Sequence, residues 1–368
     1  MASAVSASGE GPHIVVHGAG SIGCWAGAAW LASGLDVSFV GRASVKEEIA
    51  GNGLTVTDSD RRRIELRPDE VDFSTSPKAL KRADIIALCV KSNATDEAAR
   101  EIGKNARKNA TVISFQNGVS NVDRLKSALP AFTILHGMVP FNVARLGNGR
   151  WHKGVAGSLW AEDHEVTRDL AERIGSGPGR LTLAPDMKSV LWGKLLINLN
   201  NAVNALSGRP LLEQLSDRDY RRVVAASQVE ALEILDKAGI EPAKIGPIPP
   251  RLLPHVIGAP DFLFGRLVLK RQRIDASARS SMADDFAAGR PSEIDHLNGE
   301  VVRLAHSLGR RAPVNEMIVD LVRQHELGVE RTWSARDLRE HVLEAHKVVP
   351  GFGYSGADSH VPKRRVRA

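Results

Sequence analysis

The chain has 368 residues, 43% of them hydrophobic and 25% charged, with a formal net charge of +6. That is enough apolar material for two domains of ordinary size, and the basic excess suits an anionic ligand. No apolar run approaches the roughly 20 residues of a membrane-spanning helix, and with only 5% aromatic residues and no interleaving of basic and aromatic side chains, nucleic-acid binding is not expected.

The N-terminal MASAVSASGEGPH is small and polar, has no charged segment leading into an apolar core, and reads as a flexible leader rather than a secretory signal. His13-Ile-Val-Val-His17 is a short apolar strand. GAGSIG follows, then the small-residue helix CWAGAAWLASG, which closes at Gly34, then the strand Asp36 to Val40. Strand, glycine turn, helix and strand form a βαβ unit. The turn matches G-x-G-x-x-G in the position that a dinucleotide site requires. Gly18 makes the tight turn, Gly20 lets the backbone approach a diphosphate, and Gly23 permits close helix–strand packing. Ala19, Ser21 and Ile22 complete the cradle at the helix N-terminus.

An NAD site would place Asp or Glu at the end of the second strand. Here the residues are Val40-Gly41-Arg42, and a guanidinium without a carboxylate favours a 2′-phosphate, hence NADP. Further strands are expected at 54–57, 84–90 and 110–115, with helices near 96–106 and 119–128. A β-rich stretch over 133–139 and 154–160 then precedes a helix near 165–174. The alternation predicts a doubly wound α/β domain over 13–185. Two of its loops, Val90-Lys91-Ser92 and Gln116-Asn117-Gly118, follow strands at the ligand-binding edge. Lys91 is placed to meet a phosphate and Asn117 to orient a nicotinamide or substrate, although each is also an ordinary loop residue. The two cysteines, Cys24 and Cys89, sit in apolar contexts and read as reduced thiols of a cytoplasmic protein.

After Pro185 the pattern turns helical: 187–206, 217–239, a Pro-rich interruption at 245–260, then 262–270, 275–287, 292–308 and 313–326. An all-α domain is expected over 186–330, and a C-terminal extension over 331–368 ends in a tail with little order, its PKRRVRA cluster solvated. In LWGKLLINLNNAVNAL, Lys194, Asn198 and Asn201 stand in line at i, i+4 and i+7 of a greasy helix. A buried ammonium is costly unless paired, so the stripe is either an internal or solvated polar line, or the wall of a cleft with Lys194 there for chemistry. The other polar patch is SSMADDFAAGRPSEIDHLNG, 280–299. Ser292 and Asp295 read as the capping box of a helix, with Glu293 in its first turn. That leaves Ser281, Asp285 and Asn298 unassigned, and makes Glu293 the expected carboxylate partner of Lys194.

GAGSIG, CVKS at 89–92, QNG at 116–118, WGKLLINLNN at 192–201 and SSM…GRPSEIDHLNG at 280–299 occur in the order found in ketopantoate reductases (2-dehydropantoate 2-reductases), and the chain resembles that family from about residue 13 to about 328. The resemblance implies NADPH-dependent reduction of ketopantoate to pantoate, a step toward pantothenate and coenzyme A. It implies Lys194 as the catalytic lysine and general acid, Glu293 as the second catalytic residue, holding Lys194 or a substrate hydroxyl in place, and Asn198, Ser281 and Asn117 as substrate contacts. Lys91, Asn117 and Arg42 would serve the cofactor. The family's second helix asparagine falls on Ala202, and Asn201, one residue early, is the candidate substitute. The expected partners are a small-molecule 2-oxo acid and a second copy of the chain in a homodimer. Three other readings stay open: an NADPH-dependent reductase of another 2-oxo acid on the same fold, a hydroxyacid- or opine-type dehydrogenase centred on a histidine, for which His136 is the candidate, and a pyridine-nucleotide sensor without turnover.

Overall fold

The computed structural model describes residues 11–266, 278–329 and 331–347. Strands β1 (Ile14–His17), β2 (Val37–Val40), β3 (Leu54–Asp58), β4 (Arg63–Leu66), β5 (Asp72–Ser74), β6 (Ile85–Leu88), β7 (Thr111–Ser114) and β8 (Thr133–Met138) are followed by β9 (Val143–Gly147), β10 (Arg150–Lys153), β11 (Leu159–Glu162) and β12 (Leu181–Ala184). Eight of them form one sheet in the order β12-β11-β8-β7-β6-β1-β2-β5. The pairings from β5 through β8 are all parallel, and β11 closes antiparallel on β8. β1, β2, β6 and β7 are buried along their whole length, as strands covered by helices on both faces must be. This is the expected doubly wound fold, and its strand order reverses between β1 and β6, where such sheets open a crevice for ligands.

β3 does not join that sheet. It pairs with β4 and, in parallel, with β10 of the β9–β10 hairpin, forming a four-stranded sheet that packs on helix Ser21–Leu31. No short-range signal marks the β3–β10 pairing, because the partners lie about a hundred residues apart.

Beyond Ala184 every regular element among the described residues is helical. Helix Arg218–Lys237 is the spine. Pro313–Glu326, Asn298–Ser307 and Ala335–Lys347 pack against it. The last of these was not anticipated from the sequence; it buries Leu338 and Val342 completely. Trp333, just before it, donates its N–H to the Leu206 carbonyl, and its own carbonyl accepts from the Tyr220 hydroxyl at 2.6 Å. The tail read over 348–368 lies outside the described residues, as do parts of the helices expected at 262–270 and 275–287. Within the Pro-rich stretch a single turn, Pro250–Leu252, leads into a short helix, Leu253–Ile257.

Two expectations need correction. The helix expected over 187–206 is two helices, Met187–Asn198 and Asn200–Ser207, interrupted at Leu199. The capping box at Ser292 does not form either. The Ser292 hydroxyl accepts from the Ile294 N–H, two residues on, a local turn that competes with a helix start. A 3₁₀ turn, Ile294–His296, results, and the α-helix begins only at Asn298. Asp295 points outward and pairs with Arg323 at 2.7 Å.

Candidate active site

The glycine turn sits at the sheet's switch point, and each glycine has a distinct reason. Gly18 has φ +100°, and a Cβ there would lie 2.5 Å from the Val90 nitrogen, so the turn touches the loop after β6 backbone to backbone. At Gly23 a Cβ would lie 2.4 Å from the Gly18 carbonyl oxygen. A Cβ on Gly20 would meet no atom within 4 Å; this residue faces open space ahead of helix Ser21–Leu31. That helix has no side-chain cap and no acidic residue in its first turn. Its first N–H groups and the positive end of its dipole are therefore free for an anion. Ala19 is buried and bonded through its N–H to the Val40 carbonyl, while Ser21 and Ile22 are half-buried at the mouth. These features fit a dinucleotide diphosphate. Arg42 stands at the N-terminus of helix Ala43–Asn52, exposed, with no partner for its guanidinium among the described residues.

The loops after β6 and β7 are knitted together by a buried polar network. The Ser92 hydroxyl donates to the Asn117 carbonyl at 2.8 Å, and Asn121 Nδ2 donates to the same carbonyl at 2.5 Å. Thr95 donates to Asn121 Oδ1 and accepts from Gln116 Nε2. Ser92 and Thr95 are fully buried and Asn121 nearly so. In sequence Ser92 and Gln116 read only as loop neighbours, and Thr95 and Asn121 stand in no motif. The available signal was a polar residue opening each following helix.

Glu293 completes this network from the second domain. Its Oε1 accepts from the Ser92 N–H at 2.9 Å and its Oε2 from Asn117 Nδ2 at 3.1 Å. The expected Lys194–Glu293 ion pair is thus not made; backbone and carboxamide donors of the first domain hold the carboxylate instead. The contacts continue along the junction. Asn93 Nδ2 donates to the Ser292 carbonyl at 2.8 Å, and the Ser120 hydroxyl donates to Glu300 at 2.6 Å. Gly118, at φ +89°, packs so closely on the His296 carbonyl that a Cβ would lie 2.8 Å from it. Lys91 bonds Asp285, whose carboxylate also accepts from Arg290 Nε at 3.0 Å. Asn298, unassigned in sequence, is a core residue that donates to Asn315.

Helix Met187–Asn198 adjoins these loops. Val119, next to the Gln116-Asn117-Gly118 turn, packs both on the cluster containing Trp192 and Leu195 and on the one containing Val190 and Leu191. Gly193 lets the Ala243 carbonyl approach where a Cβ would sit 2.1 Å from its oxygen. Lys194 follows, half-buried, with no ion pair or hydrogen bond among the described residues. Burial pushes its pKa down to about 8. Asn198 is buried and Asn201 half-buried, and neither side chain has a partner there. Asn201 stands beyond the break at Leu199, and its carbonyl accepts from the Ser280 hydroxyl. Ala202, by contrast, is fully buried in the hydrophobic core. Ser281 is half-buried and uncommitted; the helix Ser281–Ala287 is capped by Ser280, whose own N–H is held by Asn204, another residue the sequence did not single out. His136 pairs with Glu162 on the adjacent strand at 2.7 Å, a structural contact across the β8–β11 edge. Among the described residues no group of His, Cys, Asp and Glu could hold a metal ion, and no helix is long and apolar enough to cross a membrane.

Lys194, Asn198 and Asn201 have no hydrogen-bond partner for their side chains among the described residues, and the helix of the first two packs against the loop after β7, an arrangement suited to an oxygen-rich ligand. Two family models match the chain: Ketopantoate reductase PanE/ApbA over residues 14–165, and Ketopantoate reductase PanE/ApbA C terminal over 186–326. The 2-dehydropantoate 2-reductase of Halobacterium salinarum is 27% identical, covering 84% of this chain and 97% of the relative. That of Pyrococcus abyssi is 24% identical, covering 85% and 97%. A crystal structure of a PanE/ApbA family ketopantoate reductase from Ralstonia eutropha superposes with a TM-score of 0.74 at 26% identity, over 86% of this chain and 99% of that one. The fold is shared with D-mandelate dehydrogenase, at a TM-score of 0.71 and 19% identity, over 86% and 99%.

Proposed function

Since the chain belongs to the ketopantoate reductase family, oxidoreductases acting on CH–OH groups, we propose that it reduces 2-dehydropantoate to pantoate with NADPH, with Lys194 as general acid. The observation that carries the reading is a half-buried ammonium with no anionic partner among the described residues, accompanied by carboxamides equally uncommitted, on the helix that packs against the loop after β7. When bound, the dinucleotide supplies the hydride for the ketone carbon. Gly20 and the uncapped helix N-terminus receive its diphosphate, and the free Arg42 guanidinium is suited to a 2′-phosphate.

The residues of the chain do the rest. As negative charge develops on the ketone oxygen, Lys194 stabilises it and transfers its proton there. With a pKa near 8, the ammonium is protonated at neutral pH and releases its proton more readily than an ordinary lysine. Such general-acid help is typically worth about 10²–10⁴-fold. Asn198 and Asn201 offer carboxamides to substrate oxygens, and Ser281 a hydroxyl to the substrate's acid end. Glu293 orients Asn117 and the Ser92 backbone, which fixes where substrate and nicotinamide meet. The soluble-enzyme reading includes a cytoplasmic setting, and a homodimer through the all-α domain is part of the same proposal.

The test is loss of NADPH absorbance with 2-dehydropantoate and a panel of other 2-oxo acids, for wild type and Lys194→Ala. Lysine-dependent turnover of 2-dehydropantoate supports the whole reading. Lysine-dependent turnover of a different acid keeps the mechanism and replaces the substrate. No turnover of any acid, with NADPH still bound, leaves a nucleotide sensor.

A further inference from the structure

We propose that Arg290, from the second domain, is a ligand for the diphosphate of the bound dinucleotide, paired with Lys91 through a shared carboxylate, Asp285. The inference rests on the dinucleotide reading above and adds a residue from the other domain to the cofactor site.

The geometry begins with Asp285. Its side chain is 3% exposed, and one oxygen, Oδ1, takes both Lys91 Nζ and Arg290 Nε. The two cations are about half exposed, 46% and 50%. One carboxylate balances one of them, so the trio carries a net positive charge directed to solvent. The arginine is placed by its backbone: the chain turns at Gly289, φ +58°, and the Arg290 N–H returns to the Asp285 carbonyl at 2.9 Å. That turn aims Nε at the carboxylate and leaves Nη1 and Nη2 without partners among the described residues. A guanidinium edge with two free donors matches a phosphate.

The trio's location selects the ligand. Lys91 directly follows Val90, whose nitrogen lies against Gly18, and Asp285 ties Arg290 to Lys91, so the trio is anchored to the loop on the β6 side of the glycine turn, whereas Arg42 follows the strand on its β2 side. The neighbouring charges are Arg279 and Asp284. Burial pushes the Asp284 carboxyl up from its ordinary range, and no ion pair joins it to Lys91 or Arg290 among the described residues. A structural ion pair would need only one of the two cations on Asp285; the second is explained by an anion that the turn alone does not neutralise.

The experiment titrates full-length wild type, Arg290→Ala and Arg290→Gln with NADPH and, separately, NADH, at several NaCl concentrations, with no 2-oxo acid present. The expected result is a Kd raised about tenfold or more for both dinucleotides. The salt dependence should become shallower, because one screened contact is gone, while the melting temperature without cofactor stays near wild type. Arg290→Gln keeps an amide donor for Asp285 without the charge, and it carries the measurement if the alanine variant does not fold. Unchanged Kd values overturn the proposal. So does a loss confined to NADPH, which would put Arg290 on the 2′-phosphate, or a lowered cofactor-free melting temperature with unchanged affinity, which would make the arginine structural. If wild type binds neither dinucleotide, the functional reading itself fails and this inference goes with it.

Discussion

Replacing Lys194 by methionine should make the protein more stable while removing its activity. The drop of the lysine pKa from 10.5 to about 8 through burial corresponds to about 3 kcal/mol, at about 1.36 kcal/mol per pKa unit, charged against the native state while the ammonium is protonated. Methionine has similar length and no charge to desolvate. Below pH 8 both native and unfolded wild type hold the proton, so the full cost applies. Between about 8 and 10.5 the native state has lost it and the unfolded state has not, so wild-type stability rises with pH across that window. The assay is denaturant unfolding of wild type and Lys194→Met at pH 7, 8, 9 and 10, with pH values chosen about this window. The variant should be more stable at pH 7 by up to about 3 kcal/mol, and the gap should close as pH rises. Its turnover should fall by about 10²–10⁴-fold. A variant less stable than wild type at pH 7, or a gap that ignores pH, would refute the idea that the ammonium is held unpaired at a cost.

The glycine turn separates folding from binding. Gly20→Ala should fold normally, because its Cβ meets nothing within 4 Å, yet lose dinucleotide affinity in a titration; Gly18→Ala, strained at φ +100° and blocked by Val90, should lower the melting temperature. Arg42→Ala should reduce kcat/KM with NADPH by about tenfold or more and leave NADH unaffected, as read in parallel rate assays; equal losses would remove Arg42 from the 2′-phosphate. Glu293→Gln places an amide against the donors of Ser92 and Asn117; faster hydrogen exchange in both loops and a raised KM are expected, and unchanged exchange would contradict the tether. Glu230 caps helix Pro313–Glu326 by accepting the Val314 and Asn315 N–H groups at 3.0 and 2.9 Å, so Glu230→Ala should cost about 2–5 kcal/mol in denaturant unfolding. Burial raises that carboxyl to about 7. The native state therefore holds a proton that the unfolded state releases above about 4.5, wild-type stability falls as pH rises from there to about 7, and Glu230→Gln should flatten that slope.

Much of this was legible because the signals are local. The βαβ unit, the glycine turn and the helix over 313–326 follow from apolar period and turn chemistry within short windows. The Lys194 stripe was visible for the same reason, and Lys194 and Asn198 do share one helix. What failed was non-local or decided by competition. The β3–β10 pairing joins strands about a hundred residues apart. Whether Glu293 met Lys194 or the first domain's loops depended on donors about two hundred residues away. Ser292 had two ways to spend its hydroxyl, and the nearer N–H won. Helix Ala335–Lys347 shows only a sparse apolar stripe, Ala335, Leu338 and Val342, and its stability comes from the spine helix it covers.

The row of contacts from Lys91 to Ser120 means that the two domains are not interchangeable parts. The loops that would hold the nicotinamide end of the dinucleotide take their shape from carboxylates that the second domain supplies, Glu293 above all. A fragment ending near Ala184 would keep its sheet but present Asn117 and the Ser92 N–H to water, without the groups that hold them in register. Any graft of this nucleotide half onto another helical partner must carry a carboxylate to that spot, or accept a crevice whose walls have no fixed form.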